Sequence, residues 1–148
     1  MKQISLKLVA LVFGLAATHA FAEDSKWNTD FAKAQAQAKT ENKNLLLDFT
    51  GSDWCGWCIK MKKETLDAKE FKDYAAKNLV LVEVDFPNAK HQTKHVKDQN
   101  EELKAKYKAD GYPTFVMLDK EGKELGRQVG YLEGGPSAFI SKIDSFKK

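Results

Sequence analysis

Asn44-Leu45-Leu46-Leu47-Asp48-Phe49-Thr50 runs into Gly51-Ser52-Asp53-Trp54 and then Cys55-Gly56-Trp57-Cys58, and the fold turns on how this stretch is read. A short apolar run closed by Gly-Ser-Asp predicts a buried strand and then a turn. A helix should begin near Cys55 and run through Ile59 and Met61 towards Leu66. The two cysteines therefore stand where a strand hands over to a helix.

That position has chemical consequences. At a helix start Cys55 faces backbone N–H groups with no partner in the helix, together with the positive end of the helix dipole. Both favour thiolate over thiol, and the thiolate is the reactive form. Cys58 lies three residues on, along the same helical face, so its sulfur can reach Cys55. A mixed disulfide formed by Cys55 with a substrate can then be resolved by Cys58.

Outward from this stretch, helices and strands alternate. Trp27, Phe31, Ala34 and Ala38 recur at helical spacing and predict a helix over Trp27 to Asn42. Phe71, Tyr74 and Ala75 mark another helical piece that ends at Asn78, and Leu79 to Phe86 reads as a second strand. Pro87 to Asn100 is polar and has no strand pattern; a short helix anchored by Leu103 and Tyr107 follows from Asn100 to Lys108. Asp110-Gly111-Tyr112-Pro113 is a turn before a strand from Thr114 to Asp119, and Glu121-Gly122 turns that strand into a partner from Glu124 to Tyr131. Gly134-Gly135-Pro136 opens a last helix with Phe139, Ile143 and Phe146 on its apolar side. The expectation is an α/β domain: a central sheet, parallel at first, an antiparallel C-terminal hairpin, and helices on both faces.

The chain has 148 residues, which suits one domain. Residues 1–22 read as a secretory signal peptide. Lys2 and Lys7 precede an apolar run from Leu8 to Ala17, and Ala20-Phe21-Ala22 has the small-x-small form of a cleavage site. That run is too short to span a bilayer, and no other stretch is apolar enough to do so. The mature domain is then 23–148, periplasmic or secreted, with no membrane span, in a compartment that favours disulfides. Losing Lys2 and Lys7 takes the formal charge from +3 to +1, and Arg127 is the lone arginine. A near-neutral surface without arginine forks argues against nucleic acid as a partner.

Other readings of the cysteine pair compete. It can be a purely structural disulfide, or part of a zinc or copper site completed by His91 and His95, which are four positions apart. The 32 residues and predicted strand between Cys58 and His91 do not suit a compact metal site, and solvated histidines on a polar segment are the plainer account. A non-enzymatic binding module is a further possibility, with Trp54, Trp57 and Tyr112 as its docking surface.

From about Leu45 to Phe146 the chain resembles the thioredoxin superfamily. The likeness is carried by Asp48-Phe49, by Trp54-Cys55-Gly56-Trp57-Cys58-Ile59-Lys60 and by Gly111-Tyr112-Pro113-Thr114-Phe115. It implies the thioredoxin fold and a thiol:disulfide oxidoreductase that exchanges disulfides with protein substrates, leaning to the reductase direction. Cys55 would be the attacking nucleophile and Cys58 the resolving thiol. Pro113 would be a cis proline against the disulfide, and Tyr112 would offer backbone groups to an extended substrate. Trp54, Gly56 and Trp57 complete the substrate-contacting set. Asp48 matches the buried carboxylate that takes the proton from the resolving cysteine; an aspartate that merely ends a strand is the alternative. The implied cofactor is none beyond the redox-active Cys55–Cys58 disulfide, with no metal, and a redox partner must recycle the pair.

The chain departs from the family in four places. Asp48 and Cys55 are seven positions apart, one more than usual; Trp57 replaces a proline; Leu81 stands where a lysine neighbours the acid; and Pro87 to about Asn100 is additional. Such variants are similar to exported thioredoxin-like proteins and to the soluble modules of thiol:disulfide interchange systems.

Overall fold

A computed structural model describes residues 26–147. The expected signal peptide at 1–22 lies outside the described residues. A five-stranded sheet is built from β1 (Trp27–Asn28), β2 (Asn44–Thr50), β3 (Leu79–Asp85), β4 (Thr114–Leu118) and β5 (Glu124–Val129), in the order β1-β3-β2-β4-β5. β1 and β2 both run parallel to β3, whereas β2–β4 and β4–β5 are antiparallel. The sheet is therefore mixed, and β2, the run that leads to the cysteines, is its central strand.

Helices cover both faces. Side chains alternate across a strand, so Leu45, Leu47 and Phe49 of β2 join Val80, Val82 and Val84 of β3 on one face. There they pack against Ala34 and Ala38 of α1 (Phe31–Glu41) and Leu103 and Tyr107 of α4 (Lys94–Tyr107). On the opposite face Leu46 and Leu81 meet Met61 of α2 (Gly56–Met61), Phe71 and Ala75 of α3 (Lys69–Asn78), and Phe139 and Ile143 of α5 (Gly135–Asp144). A π-helical turn, Lys62–Leu66, continues α2 and buries Leu66 in this second core.

Two helix starts differ from the sequence expectation, for identifiable reasons. Trp27 is not helical: Asp30 accepts from the Lys33 amide at 3.0 Å and caps α1, leaving Trp27 to pair with Leu81. α4 starts at Lys94 rather than Asn100, capped by Thr93, whose Oγ1 accepts from the Val96 amide at 3.3 Å. Its inner stripe is Val96, Asn100, Leu103 and Tyr107, and the polar residue in that stripe hides the period. Asn100 is buried because its side-chain amide donates to the Asp85 carbonyl at 2.9 Å.

Candidate active site

Cys55 is the N-cap of α2. Its backbone is extended, and its Sγ accepts from the Cys58 amide at 3.2 Å. The two sulfurs are joined in a disulfide, with the Cα atoms 5.2 Å apart, and both residues are buried. The turn before them is closed by the Gly51 carbonyl, which accepts from the amides of Trp54 (3.2 Å) and Cys55 (2.8 Å). Glycine is required there: a Cβ on Gly51 would sit 2.4 Å from the Trp54 indole.

The Tyr112–Pro113 bond is cis. Tyr112 lies edge-on to Trp54, ring centres 5.7 Å apart, and against Phe86 at 5.5 Å. Trp54 is further held by its indole N–H, which donates to the Phe86 carbonyl at 2.7 Å. Trp57 packs on Tyr131 at 5.4 Å; Tyr131 donates to Glu64 at 2.6 Å, and the Lys60 ammonium stands 4.7 Å from the Tyr131 ring centre. Trp54 and Trp57 nevertheless remain 46% and 59% exposed. The other large exposed apolar side chains among the described residues are Ile59, which follows Cys58, and Val129, paired with Thr114 directly after the cis proline. The exposed apolar surface is thus gathered around the disulfide, as expected of a surface that meets another chain.

The longer turn and the additional segment turn out to be one device. Asp53 accepts from the amides of Asn88 (2.9 Å) and Ala89 (2.7 Å), which holds its carboxyl below the usual carboxylate range. Asp85 accepts from the Ser52 amide (2.9 Å) and hydroxyl (2.5 Å), and Lys90 donates to Ser52 Oγ at 2.8 Å. Gly51-Ser52-Asp53 is therefore clamped to residues 85–90.

Asp48 sits in the middle of β2, on the face that α2 covers, and its Oδ1 has no hydrogen-bond partner among the described residues. Burial first, then the negative neighbours Glu83 and Asp85, push its carboxyl well above the ordinary value, opposed only by Lys62. The strand register corrects the reading of Leu81 as the neighbour of the acid: Leu81 pairs with Leu46, and the residue beside Asp48 is Glu83. The position beside Asp48, where the resemblance implied a lysine, holds an acid. Glu83, Phe86, Tyr131 and the Ser52–Asp53 clamp escape a reading of the sequence. The two acids that interrupt the apolar run Leu79 to Phe86, Glu83 and Asp85, are the available signal.

The histidines do not join the cysteines. His91 is exposed in the loop before α4 and His95 is exposed on α4. Among the described residues no group of three or more His, Cys, Asp or Glu is placed to hold a metal ion, and no helix is long and apolar enough to cross a membrane.

A mixed sheet of this order, with a Cys-x-x-Cys disulfide at the N-terminus of the helix after its central strand and a cis proline before the antiparallel hairpin, defines a thiol:disulfide oxidoreductase of the thioredoxin fold. Residues 31–147 match the family described as Thioredoxin-like domain, and the chain belongs to that family. It is 45% identical over 127 residues to the disulfide bond reductase DsbH of Chlamydia pneumoniae, an alignment covering 86% of this chain and 75% of that protein. A solved structure of a DsbH oxidoreductase superposes with a TM-score of 0.78 at 41% identity, covering 96% of this chain and 94% of the other. A poplar thioredoxin h shares the fold alone, with a TM-score of 0.60 at 19% identity over 85% of this chain and 98% of its own.

Proposed function

We propose that the protein is an exported disulfide reductase of protein substrates, with Cys55 as nucleophile and Cys58 as resolving thiol. The observation that carries the direction is the uncompensated acid on the helix-covered face: Asp48 is buried without a hydrogen bond to Oδ1 and lies beside Glu83. A dithiol couple is a strong oxidant when its reduced, thiolate form is stabilised. One amide directed at Cys55 Sγ supports attack, while negative neighbours oppose the accumulation of thiolate and so favour giving electrons away. The likeness to a protein named a disulfide bond reductase points the same way.

In this reading an extended segment of the substrate lies along Tyr112 and the cis proline, among Trp54, Gly56 and Trp57. Cys55 thiolate attacks one substrate sulfur and the other leaves. Asp48 takes the Cys58 proton, Cys58 attacks Cys55 Sγ, and the second substrate thiolate departs. The disulfide is the redox group and no further cofactor is invoked; an external dithiol donor re-reduces it. Export rests on the leader pattern at 1–22, so the working chain is 23–148.

The test pairs insulin reduction with equilibration against glutathione. Wild type should reduce insulin, Cys55→Ser should not, and the couple should lie below roughly −230 mV, more reducing than the glutaredoxins. A potential above about −200 mV would overturn the reductase direction.

A further inference from the structure

On the face that α2 covers, the polar side chains of β2 and β3 come in pairs. Leu46 and Leu81 share the inner rung, Asp48 and Glu83 the next, and Thr50 and Asp85 the last before the cysteine turn. Parallel neighbours in register project to the same side, about 4.8 Å apart. Asp48 is buried, whereas Glu83 is half-buried and opens the pair towards solvent. The cations within range are engaged elsewhere: Lys62 pairs with Asp67 at 2.7 Å, and Lys90 donates to Ser52 at 2.8 Å. Two carboxylates so close, largely out of water and lacking a cation in contact, do not both ionise readily; they titrate as one coupled unit.

We propose that Glu83 is a positioning residue of the redox site, which shares a single proton with Asp48 and passes protons between Asp48 and solvent. The proposal rests on Asp48 being the proton acceptor of the resolving step. Directions of titration agree: burial and then Asp85 push Glu83 above the ordinary glutamate value, against Lys90 and Lys62. Those charges act on it from its own strand, from the turn after α2 and from the loop after β3, and Glu83 in turn raises the Asp48 carboxyl across the strand pair.

The step balances. The reduced protein begins with Cys55 as thiolate, Cys58 as thiol and one proton on the carboxylate pair. After Cys55 has formed the mixed disulfide and the first substrate thiolate has left, Cys58 gives its proton to Asp48. The Cys58–Cys55 bond forms, the Cys55–substrate bond breaks, and the second substrate thiolate leaves. The pair now carries two protons and returns one to solvent through Glu83. Two electrons have passed from the cysteines to the substrate disulfide.

The experiment is the pH profile of kcat/KM for reduction of a peptide disulfide by the full mature chain, in wild type, Glu83→Gln, Glu83→Asp and Asp48→Asn. Removing the like charge lets Asp48 ionise more easily, so Glu83→Gln should move the acid limb down by about one pH unit. Glu83→Asp should restore much of the wild-type profile, which a purely structural role would not require. A Glu83→Gln profile that superimposes on wild type overturns the proposal. An acid limb unmoved in Asp48→Asn overturns the Asp48 reading beneath it, and a wild type that reduces nothing overturns the reductase reading itself. If Glu83→Gln does not fold, carbon-13 titration of the wild-type carboxyls decides. Two-step curves shared by Asp48 and Glu83 support the pair, and independent one-step curves reject it.

Discussion

β2 and β3 present two different surfaces from one backbone. On the α1/α4 face the rungs Leu45–Val80, Leu47–Val82 and Phe49–Val84 stay apolar to the end of the strands. On the α2 face the apolar rung Leu46–Leu81 gives way to Asp48–Glu83 and Thr50–Asp85 as the strands approach the cysteines. Register and twist are common to both faces, so the difference is owed to alternate side chains alone. One face holds the fold together. The other accepts buried acid, at a cost in stability, where the disulfide has to be worked.

The strongest way to break this division is to truncate the apolar face. Phe49 is fully buried there, next in sequence to Asp48 but pointing the opposite way. Phe49→Ala should destabilise the oxidised protein by about 3–5 kcal/mol in urea unfolding, the range for a large buried aromatic. The fraction that stays folded should keep its redox potential. A potential that shifts along with stability would show that the two faces are not independent.

On the other face the expected sign reverses. Burial and the Glu83 and Asp85 charges hold the Asp48 carboxyl well above its ordinary value. Between the unfolded carboxyl's titration, near pH 4, and that of the folded group, the folded protein keeps a proton that the unfolded chain has lost. Stability therefore declines as pH rises through that window and stays lowered above it. Asp48→Asn cannot ionise, so at pH 8 it should be more stable than wild type by about 1–2 kcal/mol, the gap closing at about pH 4. Urea unfolding at several pH values checks this. A gap that does not vary with pH would mean that Asp48 titrates as an ordinary aspartate, and the polar face would then carry no electrostatic load.

The same contrast explains what was legible in the sequence. β2 spans the residues that its apolar run predicts, and β3 falls one residue short of its prediction, because a mostly apolar run between turn residues has few other ways to bury itself. The cysteine pair, Trp54 and Trp57 beside it and the Tyr112–Pro113 pair lie in short local patterns, which a linear reading captures, whereas Phe86 and Tyr131 reach the site from distant parts of the chain. Glu83 lies 35 positions from Asp48 and becomes its neighbour only through the parallel register, which no local pattern specifies. The start of α4 was obscured because Asn100 is buried for a hydrogen bond to Asp85 and not for its hydrophobicity. The Asp53 clamp joins a turn to a loop more than 30 residues away, through backbone amides that any residue type supplies.

That clamp gives the smallest effect and the finest test of where the polar face ends. Asp53 lies on the exposed turn, and its carboxyl is held low by the Asn88 and Ala89 amides. A group of this kind steadies the folded state above the unfolded carboxyl's titration and loses that contribution as pH falls through its own lower one. Asp53→Ala should speed amide exchange at Asn88 and Ala89 by about five- to tenfold, through local opening of residues 86–92. The Ser52 amide, held by Asp85 at 2.9 Å, should stay protected, because Asp85 belongs to the buried rung and not to the loop. Acidifying wild type should reproduce the Asn88 and Ala89 result once intrinsic exchange rates are allowed for, and should leave the Asp53→Ala rates unchanged. If Ser52 loses protection together with Asn88, the turn and the last rung open as one unit. The redox helix would then be steadied by the inserted loop, not by the strand on which it is mounted.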